Sequence, residues 1–268
     1  TATVISAKRF LKANRGEGRF RLRRLMATGS RKSKEEARIA RLRRRLADML
    51  AAEGHFREAI RNYEQAAEFE DEDPEFSLSL GHAYACSDMP QQAYDSYVKA
   101  LRLNPRNAET HFSMAELFLS LGRGGAALRA MMRAVQCAPD REYYTYRLGA
   151  LYYRAGDFVS AEMYFRECVE RRPRDDFYHF RLGDALFAQH LWAEAIEEYE
   201  QAVSIAPLQE LYHLRLAAAR VRTEEHEKAL ASFQQAVFLS PNNPAYYWLL
   251  ASQLMRMGRQ KEADEHFA

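Results

Sequence analysis

Cysteine is scarce in this sequence: Cys86, Cys137 and Cys168 are the only three in 268 residues. Their odd number and wide spacing exclude a disulfide framework and the short Cys pairs of zinc and redox sites. They read as small core residues of a protein kept in a reducing compartment such as the cytoplasm. Glycine and proline number only 12 and 8, which excludes collagen-like and low-complexity chains. No run of eighteen apolar residues occurs, so nothing reads as a membrane span, and attachment at the edge of a membrane-bound complex stays open. Catalytic patterns are missing too. Gly122-Arg123-Gly124-Gly125 lacks the Gly-Lys-Ser/Thr ending and the preceding strand of a phosphate loop and reads as a turn. No Ser/His/Asp or Cys/His constellation can be assembled. The expectation is a non-enzyme with no cofactor, no metal and no small-molecule substrate.

What is present is charge, unevenly spread. Residues 1–48 hold 16 Lys+Arg against 4 Asp+Glu, leaving 23 against 33 in residues 49–268. A basic arm therefore precedes an acidic body. Within the arm Val4, Ile5, Ala7, Phe10 and Leu11 form a short apolar stripe, and further along the arginines alternate with Phe20 and Leu22. The candidate docking residues are Lys8, Arg9, Phe10, Lys12, Arg19, Arg21, Arg23 and Arg24. They suit an acidic protein surface, with nucleic acid or an anionic membrane surface left open.

The body is periodic. Pro105, Pro139, Pro173, Pro207 and Pro241 follow one another at intervals of 34 residues, and proline marks the points where helices must end. Units begun at 40, 74, 108, 142, 176, 210 and 244 all carry alanine at their twentieth position, from Ala59 to Ala263. Position 8 is always Gly or Ala, position 7 is Leu or Met, and position 24 is Tyr, Phe or Met, so small and large side chains alternate on schedule. Two amphipathic helices of about a dozen residues cannot bury their apolar faces alone and must stack on neighbours. Ser33 and Glu36 have capping-box spacing, which opens the first repeat helix early. The chain begins at Thr1 and the last unit stops at Ala268, one residue after Phe267, so further residues or another subunit over the last helical pair are expected.

Leu148-Gly149-x-x-Tyr152, followed by Ala161, Phe165 and Pro173, is similar to the signature of the tetratricopeptide repeat family, and the likeness runs over residues 40–268 without an insertion. The resemblance implies an all-α fold: a right-handed superhelical solenoid of seven 34-residue helix-turn-helix repeats at 40–268, the last incomplete, behind a basic arm at 1–39. Asp71 in place of the first boundary proline and Arg220 in place of an aromatic depart from the family pattern. The resemblance also implies that the first helix of each unit lines a concave groove.

At the implied groove positions stand Arg147, Arg181 and Arg215 as a ladder, Arg154 and Arg222 beside them, and the aromatic residues Tyr143, Tyr146, Phe177, Phe180 and Trp248. Guanidinium forks and large rings suit an extended segment with acidic and bulky side chains. The plainer reading is also open: the arginines pair with groove acids such as Asp184, and the rings only pack one repeat on the next. The carboxylate clamp of chaperone-binding family members is not reproduced by Arg44, Asp48, Ser79, Glu109 and Ser113. His111, His179 and His213 all occupy position 4. Packed helices lie ~8–10 Å apart, too far for these rings to share one zinc ion, so a structural role is expected. The function implied is a scaffold or adaptor subunit of a larger assembly that binds partner proteins in the groove and docks through the arm. The alternative is an RNA- or ribosome-associated protein that uses the arm.

Overall fold

The computed structural model describes residues 36–67 and 73–267. The arm residues singled out above, Lys8 to Arg24, lie outside them, as do Ser33 and Asp71. The described residues are helical throughout apart from short turns. Helix α1 covers residues 36–52 and is already running four residues before the first unit boundary. It is followed by α2 (Phe56–Ala67), α3 (Pro74–Cys86), α4 (Pro90–Leu103), α5 (Ala108–Ser120), α6 (Gly124–Cys137) and α7 (Glu142–Arg154). Then come α8 (Phe158–Arg171), α9 (Asp176–Ala188), α10 (Trp192–Ile205), α11 (Glu210–Arg222), α12 (His226–Leu239), α13 (Pro244–Arg256) and α14 (Gln260–Phe267). From Pro74 onward every odd-numbered helix starts 34 residues after the previous one, and the even-numbered helices keep the same step from Phe56 to Gln260. The proline period is thus the period of the helical pairs.

The chain divides into two compact units between Leu117 and Phe118. In the first, Ala40 and Ala47 of α1 and Phe76 and Ala83 of α3 are buried against Ala59, Tyr63 and Ala66 of α2. In the second, one core joins Phe165 of α8, Phe180, Leu182 and Leu186 of α9, Tyr199 of α10 and Leu216 of α11. A further cluster joins Leu230 and Phe233 of α12 to Leu250 and Leu254 of α13. Within each unit the second helix of a pair packs on its own first helix and on the first helix of the next. An amphipathic helix with apolar positions on two sides finds partners on both.

Local chemistry fixes where the helices begin. Asp73, Asp157, Asp175 and Asn243 each accept a backbone N–H from the first turn of the helix they precede, satisfying donors that no helical carbonyl can reach. Pro74, Pro90 and Pro244 sit at first helical positions, where a missing N–H costs nothing. Position 8 sets the approach within pairs. A methyl group on Gly183 would lie 2.7 Å from the Tyr199 ring, and one on Gly149 2.9 Å from Phe165.

The cysteines do not all follow expectation. Cys168 is buried, with its thiol pushed up to about 12 by burial. Cys86, the last residue of α3, is exposed. No helix among the described residues is long and apolar enough to cross a membrane.

Candidate functional site

The residues singled out for the groove fall on α7, α9, α11 and α13, all in the second unit. At position 2 of their pairs Tyr143, Phe177 and Leu211 are all exposed, so a row of large apolar side chains repeats along the first helices. Tyr146 underlies the row: its ring meets Phe177 edge-on at 5.2 Å and lies 6.0 Å from Phe165. At the far end Trp248 is 60% exposed.

Phe180 requires a correction. It is only 6% exposed and stacks on Tyr212 at 4.7 Å, so this ring belongs to the core between α9 and α11 and cannot meet a ligand. Position 5 of a first helix lies at the border between groove and inter-repeat contact. Large neighbours on α10 and α11 close over it in this pair, whereas Trp248 at the same position in α13 stays open.

The three arginines at position 6 are also unequal. Arg147 donates to the Tyr143 hydroxyl at 2.9 Å and lies over that ring at 5.8 Å. Arg181 donates to Asp184 Oδ2 at 3.1 Å, and its guanidinium sits over Tyr153 at 5.1 Å and over Phe165 at 5.4 Å. Arg215 pairs with Asp184 Oδ1 at 3.6 Å while keeping much of its side chain exposed. Asp184 is therefore the centre of the site. It is 4% exposed and also accepts the Tyr199 hydroxyl at 2.9 Å. Burial pushes its carboxyl above the usual carboxylate range, although both arginines and the Tyr199 hydroxyl act in the opposite direction. Two of the three arginines thus face an internal acid, as in the plainer reading, and the row keeps less free positive charge than a ladder of three.

Arg154 and Arg222 at position 13 are exposed, and Arg222 lies over the Trp192 ring at 5.6 Å. Trp192 in turn meets Phe187 edge-on at 4.8 Å. Leu211, at the same position of its pair as Tyr143 and Phe177, is exposed but was not singled out from the sequence, and the 34-residue period is the signal that could have found it.

The position-4 histidines each make the same structural contact. Nε2 of His111, His179 and His213 meets the carbonyl of Pro105, Pro173 and Pro207 at 3.0, 3.1 and 2.9 Å. Each ring ties the start of a first helix to the preceding boundary proline. His179 also meets Glu198 through Nδ1 at 2.7 Å.

Fold and surface together define an α-helical repeat protein built from paired helices. Residues 90–142 and 146–210 match the family model described as Tetratricopeptide repeat, and the chain carries tetratricopeptide repeats over these residues. It is similar to the C-terminal part of a TPR repeat-containing protein from Cytophaga hutchinsonii, at 15% identity and a TM-score of 0.69, over 82% of this chain and 88% of that one. It is also similar to YrrB, described as a TPR protein with an unusual peptide-binding site, at 18% identity and a TM-score of 0.61, over 69% of this chain and 95% of that one. At these identities the likeness is one of fold. Among curated proteins, the TPR repeat-containing thioredoxin TTL4 of Arabidopsis thaliana is 29% identical over 94 residues, 35% of this chain. The match spans only 14% of that relative's length. Tetratricopeptide repeats generally mediate interactions between proteins.

Proposed function

We propose that this chain is a binding scaffold that holds an extended segment of a partner protein along the first helices α7, α9, α11 and α13, without a catalytic step. The observation that carries the reading is the exposed row Tyr143, Phe177 and Leu211, repeated at the pair spacing and continued by Trp248. Large rings held on rigid helices offer contact area at little entropic cost. Arg147, Arg154, Arg215 and Arg222 border the row, so the segment that fits carries bulky side chains in contact and acidic ones at the rim. Because Asp184 already engages Arg181 and Arg215, apolar contact leads and charge tunes. The fold it shares with the peptide-binding YrrB agrees with this use. The basic arm serves as a second attachment to an acidic surface of the same assembly.

The test begins with affinity purification of the full chain from its native source, with and without nuclease, followed by affinity measurement for the recovered partner. Tyr143→Ala/Phe177→Ala is expected to weaken binding at least about tenfold, each ring being worth ~1 kcal/mol or more at an interface. The melting temperature should fall only modestly, because Tyr143 and Phe177 keep 48% and 40% of their surface exposed. Unchanged affinity would remove this surface from the function. Loss of every partner on nuclease treatment would replace the scaffold reading with RNA binding through the arm.

A further inference from the structure

A second surface lies on α1, in the first unit. Ile39, Leu42, Leu46 and Met49 are 45%, 55%, 47% and 63% exposed. Their spacing of three, four and three residues is that of a coiled-coil seam, which places all four on one stripe of the helix. Ala40 and Ala47 occupy a different face, the one buried against α2.

The repeat shows what such a stripe is for. Leu42, Leu46 and Met49 hold positions 3, 7 and 10 of their pair. The same positions are Phe76, Leu80 and Ala83 in α3, where Phe76 and Ala83 are 1% exposed under α2 and Leu80 packs against the same cluster. They are Tyr178, Leu182 and Ala185 in α9 and Tyr212, Leu216 and Ala219 in α11, all buried. Where these positions recur within a unit, they pack against the second helix of the preceding pair. On α1 they carry large apolar side chains and remain open, which is costly to leave to water at ~25 cal/mol per Å2.

Charge selects the occupant. Arg38 and Arg45 are exposed along the open border of the stripe. Residues 1–35 carry 11 Lys+Arg against 2 Asp+Glu, so laying that arm on the stripe sets like charge against like. A second copy of α1 brings its own Arg38 and Arg45 to the same contact and meets the same repulsion. We propose that the Ile39-Leu42-Leu46-Met49 face of α1 docks an amphipathic helix of a partner protein, apolar along one side and acidic beside it, in the position that a preceding second helix takes on the later repeats.

The test uses the full chain and two synthetic helical peptides with Leu at heptad a and d positions, one carrying Glu and the other Lys at the flanking positions. Met49 should oxidise readily in dilute peroxide when the chain is alone, as read by mass spectrometry, and be shielded by the Glu peptide. The Glu peptide should bind at least about tenfold tighter than the Lys peptide. Arg38→Glu/Arg45→Glu should reverse that preference, and Leu42→Ser/Met49→Ser should weaken the Glu peptide by about tenfold or more. All four positions are exposed, so the fold should survive each change. Tyr143→Ala/Phe177→Ala should leave peptide binding unaltered, which keeps this surface separable from the one on α7 to α13. A Met49 already shielded in the chain alone would mean that the arm or a second copy occupies the face. Equal affinity for both peptides, or binding indifferent to Leu42→Ser/Met49→Ser, would equally overturn the proposal.

Discussion

Asp184 shows how one residue limits what a binding surface can offer. An acid this deeply buried persists only with its partners in place, here Tyr199, Arg181 and Arg215. Asp184→Ala is expected to cost about 2–4 kcal/mol, because it strands the Tyr199 hydroxyl and the Arg181 guanidinium, and a denaturant titration reads this directly. The pH dependence has a definite sign. The folded carboxyl titrates above its unfolded value, so it binds more protons when folded, and its contribution is fully present below about pH 4 and fades as pH rises through the folded value. Wild type should therefore lose stability relative to Asp184→Asn on going from about pH 4 to pH 7, and a gap that widens in wild type's favour would contradict the burial-driven shift. Gly183 is the neighbouring constraint. A methyl group there meets Tyr199, whose hydroxyl is already held by Asp184, so Gly183→Ala should cost about 1–2 kcal/mol although alanine is ordinarily the better helix former. The sequence pointed to Asp184 as a partner for the arginines, but the burial of Phe180 was not legible. Position 5 holds a large residue in open and closed pairs alike, and only the bulk of Tyr199 and Tyr212 decides which is which.

Among the elements, the 34-residue step, the pairing of helices and the close approach at position 8 were all readable from proline, alanine and glycine. The link inside each pair was not. The fifteenth residue of every pair has positive φ: Gly54, Gly122, Gly156 and Gly258, but also Asp88, His190 and Glu224. This left-handed residue ends the first helix and turns the chain into the second. Four glycines among seven positions hid the rule, since the backbone imposes it and the sequence obeys it only in part. Glu224, at φ 60, adopts a conformation that disfavours its Cβ by roughly 1–2 kcal/mol, while glycine gives back some of that gain in unfolded-state entropy. Glu224→Gly should thus stabilise the chain by about 0.5–1 kcal/mol, seen as a later unfolding midpoint at unchanged slope. Destabilisation would mean that Glu224 makes a contact worth more than the strain.

At the scale of the whole molecule, two surfaces of different chemistry stand on one repeated scaffold. The row on α7, α9, α11 and α13 is mostly aromatic with a partly neutralised basic border, and the stripe on α1 is aliphatic with the exposed Arg38 and Arg45 beside it. The second helices also expose apolar side chains, notably Val159, Met163 and Phe238, but Val159 and Met163 share α8 and Phe238 stands on α12, and they form no row at the pair spacing. Hydroxyl-radical footprinting of the chain in complex with its native partner separates these surfaces side chain by side chain. Tyr143, Phe177 and Leu211 are expected to lose most of their reactivity on complex formation while Val159, Met163 and Phe238 keep theirs. Undiminished reactivity at Tyr143 and Phe177, with shielding on the second helices instead, would show that the partner is held elsewhere and that the first-helix row is not the binding surface.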